Sequence, residues 1–256
     1  MQVCCIKSFI IALVKMNVDS MAVNILKRGV EFDTKKRYTE ALVCYQEGLQ
    51  ILIDRMKEEC DDDVKKYLKE RVEDYMGRAE NIKKLIAKQK ESGKFHEQVQ
   101  IKNNSTGHSY KTLFGRFLDK DVQYVIVEDP YIRNFHQCQN FLRLCELLVT
   151  SCSDLKKIEL VTTKDNKSAD VQMKYFKELR NNLMKYNIQF FAKYSDTLHD
   201  RQIVLDSGWI IKIGRGLDIF KPLENKFCLG VYDLDLRQCH ETTVDIMHSK
   251  HVKQSS

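Results

Sequence analysis

The sequence predicts an α + α/β protein: an antiparallel three-helix bundle over residues 19–90, a linker over 91–97, and an α/β domain with a mostly parallel sheet over 98–256. Three observations lead there. Apolar residues recur at helical spacing from Ser20 to Ile86 with no strand signal. Past Gly93 the pattern changes to short β-branched runs separated by helical stretches. The chain has 256 residues, 43% hydrophobic and 30% charged, with only two prolines. That is enough for two cores and excludes a collagen-like or wholly disordered chain.

In the first helix Ala22, Ile25, Leu26, Gly29 and Val30 form one face, with Ser20 or Asp19 as N-cap. After the basic turn Lys35-Lys36-Arg37 a second helix carries Ala41, Leu42, Tyr45, Gly48, Leu49, Leu52, Ile53 and Met56, with Thr39 read as its cap. The acidic cluster from Glu58 to Asp63 supplies the next cap. Val64, Leu68, Val72, Tyr75, Ala79, Ile82 and Ile86 then mark a long third helix. Short connections make the three antiparallel. In the second domain Val99 to Ile101, Val122 to Val127, Ile158 to Thr163, Ile188 to Ala192 and Trp209 to Ile213 read as strands. Cys138 to Thr150 and Asp170 to Tyr186 read as helices between them. Strands alternating with helices of that length predict parallel pairing, with ligands beyond the carboxyl ends of the strands.

The net charge of +6 is spread evenly. Residues 1–95 hold 19 basic and 16 acidic residues, and residues 96–256 hold 23 and 20. Neither part has the dense basic field of a nucleic-acid binder, and no RNP-like, zinc-finger or helix-turn-helix signature is present, so no nucleic acid is expected. Nine cysteines without a C-x-x-C pair read as reduced thiols of a cytosolic protein. Cys138, Cys145 and Cys152 fall along one helix face as core residues, and no histidine lies at ligand spacing, so neither metal nor cofactor is expected. Residues 1–18 read as an atypical or disordered extension: the apolar stretch from Ile6 to Val14 contains Lys7 and Ser8, and is roughly half of what a bilayer span needs. No small-residue cleavage site follows it.

The third helix carries Met76 one position off its core stripe, which widens the apolar face toward Lys83. In a sealed bundle Met76 would merely border the core. The strings Ala41-Leu-Val-Cys-Tyr45-Gln-Glu-Gly48-Leu49 and Tyr75-Met-Gly-Arg-Ala79-Glu80-Asn-Ile82-Lys83 resemble the MIT domain, the microtubule-interacting and trafficking bundle. That resemblance implies a groove between helices two and three that receives C-terminal helices of ESCRT-III subunits. Val72, Met76 and Ala79 would then be apolar contacts, with Glu73 and Glu80 as acidic partners and Lys83 at the rim. Gly77 stands where many family members have Asp, which removes one salt bridge.

In the second domain the segment His199-Asp200-Arg201-Gln-Ile-Val-Leu205-Asp206 resembles the H-x-K-x4-D motif of phospholipase D-like enzymes, with Arg201 in place of Lys. There the histidine attacks phosphorus, a second histidine protonates the leaving group, Lys neutralises phosphate oxygens and Asp orients an imidazole. Two motifs must meet. Here His248-Ser249-Lys250 supplies a second H-x-K, but Ser255 stands where Asp is wanted. The G-S-x-x-N turn of the enzymes is replaced by Gly214-Arg215-Gly216-Leu217-Asp218, one residue later. His199, Arg201 and Asp206 therefore read as a degenerate site, an anion pocket rather than a catalyst. Arg133, Lys164, Lys167, Lys212, Arg215 and Lys221, expected at strand ends and loops, read together with Arg201 as a cationic face for an anionic bilayer.

The order of the halves, with Glu128-Asp129-Pro130-Tyr131-Ile132-Arg133, Trp209 to Asp218 and Cys239 to Asp245, is similar to proteins that join an MIT bundle to a phospholipase D-like domain. This resemblance implies a non-enzymatic cytoplasmic adaptor, peripheral at late endosome and midbody, that binds ESCRT-III tails, dimerises, binds phosphoinositide-containing membrane and serves cytokinetic abscission. The alternative is a phosphodiesterase or phospholipase with a site assembled across a homodimer.

Overall fold

The computed structural model describes residues 20–165, 169–223, 225 and 227–249, so the expected extension over 1–18 lies outside the described residues. The chain divides into two units between Glu97 and Gln98. The first is built on α1 (Ser20–Thr34), α2 (Tyr38–Glu58) and α3 (Asp62–Glu91). Its core is the one the periodicity marks: Ala22, Leu26, Val30, Tyr45, Leu49, Leu52, Leu68, Val72, Tyr75 and Ile82 are buried. Gly48 lets α1 and α2 meet, since a Cβ there would lie 2.6 Å from Leu26 Cγ. A buried polar link crosses the bundle. Arg78 of α3 donates to both carboxylate oxygens of Asp33 at 2.8 and 2.6 Å, and the Tyr45 hydroxyl donates to the same carboxylate at 3.1 Å. Burial and the Asp33 charge push the Tyr45 hydroxyl well above its ordinary pKa.

Asp61 caps α3 by accepting from the amides of Asp63 and Val64. Thr39 is not a cap. The α2 helix begins at Tyr38 after Arg37, its first turn is held by the Arg37–Glu40 ion pair, and Thr39 is buried inside it.

The second architecture is a seven-stranded sheet of order β1-β7-β6-β5-β2-β3-β4, made of β1 (His96–Ile101), β2 (Tyr124–Glu128), β3 (Lys157–Thr162), β4 (Gln189–Tyr194), β5 (Gln202–Leu205), β6 (Trp209–Ile213) and β7 (Thr242–His248). A short helix α4 (Tyr110–Phe114) precedes β2. The β2, β3 and β4 strands pair in parallel, across the connecting helices α5 (Phe135–Ser151) and α6 (Ala169–Met184). The β2–β5, β5–β6 and β6–β7 pairs are antiparallel, so the sheet is mixed and the expected mostly parallel sheet is corrected. For β5 and β6 the reason is connection length. Residues 195–201 join β4 to β5 and 206–208 join β5 to β6. A parallel crossover needs about a dozen residues or more. The linker reading over 91–97 also gives way at its end, because β1 already starts at His96, where the buried Glu97 breaks the apolar alternation that marks a strand.

The sheet core joins Val125, Val127, Ile158, Leu160, Phe190, Ile203, Ile211, Val244 and Ile246 to Phe141, Leu148 and Phe176 of the helices. The Phe190 ring meets Phe141 at a tilt, 5.7 Å between centroids, and Phe176 edge-on at 6.0 Å. Cys138, Cys145 and Cys152 are buried, and burial pushes the Cys138 thiol up to about 11, which keeps it neutral. Among the described residues no helix is long and apolar enough to cross a membrane.

Candidate functional site

Two surfaces carry the residues singled out from the sequence. On α3, Glu73, Met76, Glu80 and Lys83 follow at offsets of three, four and three, which stacks them on one face. All four are exposed, and Met76 is 45% exposed. Val72 and Ala79 are different: at 5 and 9% exposed they belong to the bundle core. They can offer only the floor of a shallow surface, from which Met76 stands out. Beside it Gly77 faces open space, with nothing within 4 Å of an added Cβ.

The second surface lies at the edge of the sheet where β2 and β6 end, a shared edge because β5 runs antiparallel to both. Arg201 enters β5 there. Its carbonyl accepts from the Ile213 amide at 2.9 Å, and its guanidinium donates to the Gly214 carbonyl. The guanidinium carbon lies 4.7 Å from the Tyr131 ring centroid. Arg133 approaches the same ring at 5.4 Å, while its Nε donates to Pro130 O at 3.1 Å and Thr163 Oγ1 at 2.6 Å. One tyrosine thus organises two cations, each such contact contributing about 0.5–1 kcal/mol at an exposed site. Lys164, just past β3, lies 5.6 Å over the Tyr194 ring, and Lys212 Nζ is 3.6 Å from Asp200.

Arg215 and Lys221 form a separate group. Arg215 Nε donates to the Asp218 carbonyl at 3.2 Å, and Lys221 Nζ bonds Asn104. Both sit near His240, whose pKa is held down by burial, then by these two cations, against the raising effect of Asp218. Lys167 lies outside the described residues.

The H-x-K-x4-D spacing sets His199 and Asp206 beyond the two ends of β5. His199 is exposed in the loop before β5, whereas Asp206 follows β5 at the opposite edge. Its carboxylate accepts from the Gln123 and Tyr124 amides at 3.1 Å, so Asp206 fastens the start of β2. Four residues of strand separate the two by about 13 Å. His248 is also at the far edge, 5.0 Å edge-on to Trp209 and 3.2 Å from the Ser207 carbonyl. Lys250 and Ser255 lie outside the described residues.

Sequence reasoning missed Tyr131, Thr163 and Asp129. Buried Asp129 accepts from the Tyr131 and Leu217 amides at 2.9 Å and so ties the β2 end to the loop after β6. Gly216 makes that possible, with φ +63° and a hypothetical Cβ only 2.0 Å from Asp129 Oδ2. The string Glu128 to Arg133 directly after a β-branched run was the available signal.

A three-helix bundle with a charged, Met-centred face, followed in the chain by a mixed α/β unit that carries His199, Arg201 and Asp206 about one strand, defines an MIT protein with a phospholipase D-like domain. Residues 20–84 match the MIT (microtubule interacting and transport) domain, and residues 107–248 match the phospholipase D-like domain at the C-terminus of MIT. The chain is 46% identical over 234 residues to MIT domain-containing protein 1 of Mus musculus, covering 91% of this chain and 94% of that protein. It belongs to the MIT domain-containing protein 1 family.

Proposed function

We propose that the chain is a non-enzymatic adaptor: its bundle captures amphipathic C-terminal helices of ESCRT-III subunits on α3, and its phospholipase D-like unit dimerises and binds anionic, phosphoinositide-containing membrane. Acting in cytokinetic abscission, it would be cytoplasmic and peripheral to membrane at late endosome and midbody. The observation that carries the reading is Met76, an exposed apolar side chain flanked on its helix face by Glu73, Glu80 and Lys83. An amphipathic helix docks through such an apolar anchor, with charged neighbours setting register. The separation of His199 from His248 supports the non-enzymatic part for a single chain, because a phosphohistidine mechanism needs both imidazoles at one phosphorus.

The test is Met76→Asp in the full chain. It should reduce capture of ESCRT-III tail peptides at least about tenfold, since it sets a charge where an apolar contact is buried on binding. The far-ultraviolet spectrum should stay helical. Undiminished capture by the folded variant overturns the α3 reading.

A further inference from the structure

The described residues of the stretch 221–238, all but Glu224 and Lys226, form a loop closed at its neck, where Phe220 bridges Cys239 and the Lys221 amide donates to the Gln238 carbonyl at 2.9 Å. The loop is pinned from within. Buried Arg237 donates from Nε to Gly230 O at 2.7 Å and from Nη2 to Val231 O at 3.3 Å. Gly230, at φ +85°, passes so close that an added Cβ would lie 3.1 Å from the Arg237 backbone. Asp233 caps the short turn Leu234–Leu236. Asp235 accepts from the Ser109 amide at 2.7 Å, from its hydroxyl at 2.9 Å and from the Thr112 hydroxyl at 3.0 Å, which ties the loop to the start of α4.

This pinned loop turns its largest apolar side chains outward: Phe227, Leu229 and Tyr232 are 100, 82 and 96% exposed. Single exposed apolar residues are common, but three on one short scaffolded segment mark a contact surface. Tyr232 rims a cavity shared with Ser109, Tyr110, Arg143, Glu146 and Leu147, but Phe227 and Leu229 do not line it, so two of the three offer no socket for a docked side chain. Aromatic and leucine side chains with a polar phenol among them suit the boundary between headgroups and acyl chains. The loop neck carries Lys221, whose Nζ donates to Asn104, and Arg215 shares its neighbour His240, so two cations stand at the base of the same loop. Both described loop carboxylates are occupied by protein donors.

We propose that Phe227, Leu229 and Tyr232 form a wedge that enters the interfacial layer of an anionic bilayer while Lys221 and Arg215 meet the lipid phosphates. The inference rests on the membrane reading above and adds an apolar component, which salt does not screen. Two full-chain variants test it with vesicles of phosphatidylcholine, phosphatidylserine and a phosphoinositide. With Phe227→Ser, Leu229→Ser and Tyr232→Ser combined, the binding that wild type retains at high salt should fall at least about tenfold, as expected for the apolar area withdrawn. With Tyr232→Trp, lipids brominated in the acyl chain should quench the introduced indole while the chain's one native tryptophan, buried Trp209, is spared.

Wild type that fails to sediment with any vesicle overturns the membrane reading and the wedge together. Wild type that sediments, with the triple variant matching it at high salt and no quenching, overturns the wedge alone. A triple variant that instead changes oligomeric state assigns the loop to a protein contact and likewise overturns the wedge.

Discussion

Asp129 is a carboxylate held in the fold against its own solvation. Burial raises its pKa, the Leu217 and Tyr131 amides and the Arg201 cation lower it, Asp218 raises it, and the balance lies above the ordinary value. A folded-state pKa above the unfolded one means that the native protein holds this proton more tightly. Asp129 therefore withdraws stability as pH rises from below the unfolded value through the folded one, the reverse of a salt-bridged acid. Carbon-13 carboxyl titration should find Asp129 above about 3.9. Arg201→Gln should raise it further and Asp218→Asn should lower it; no movement in either variant would detach Asp129 from the sheet-edge charges. Gly216→Ala should cost at least about 2 kcal/mol in chemical denaturation, because the methyl collides with Asp129 and the backbone stays left-handed.

The α3 helix has a glycine in its exposed middle, where alanine would lose less backbone entropy and meet no neighbour. Gly77→Ala should stabilise the bundle by about 0.8–1 kcal/mol, whereas Gly48→Ala should destabilise it by a similar amount or more, since its methyl drives into Leu26. Thermal melts moving in opposite directions are the expected outcome, and parallel shifts would refute the two environments. The helices were legible because a period of 3.6 survives from Ala22 to Ile86 without tertiary knowledge. The parallel half of the sheet was legible for the same reason, its β-branched runs being separated by amphipathic helices. In the antiparallel half β6 was legible, as the run from Trp209 to Ile213, but β5 and β7 were not. The β5 strand has only four residues, and β7 opens on Thr242-Thr243 and carries Asp245, so neither offers a continuous apolar run. At the candidate sites the residue types were visible, as with Met76, Arg133 and Arg201. Burial of Val72 and Ala79, the pairing of two arginines on Tyr131 and the remote position of Asp206 depend on which strands become neighbours, which spacing does not encode.

Across the whole molecule the charge is modest and even, +6 in total, so no long-range field selects a polyanion. Attraction to an anionic surface has to be local, at about 1 kcal/mol per Lys or Arg brought near the bilayer. A dimer would double the cations presented and hold the second set at high effective concentration once the first has bound. Lys212→Glu with Arg215→Glu reverses two exposed charges per chain, and so four in a dimer. Liposome binding at low salt should fall by about tenfold or more, and wild-type binding should decline as salt rises. Oligonucleotides should displace the chain from vesicles poorly. Because Lys212 and Arg215 lie on the surface, unfolding free energy should move by less than about 1 kcal/mol, which separates a lost contact from a lost fold. Unchanged sedimentation by the folded variant would remove this pair from the membrane surface and leave binding to Arg133, Lys164 and Arg201 around Tyr131 and Tyr194.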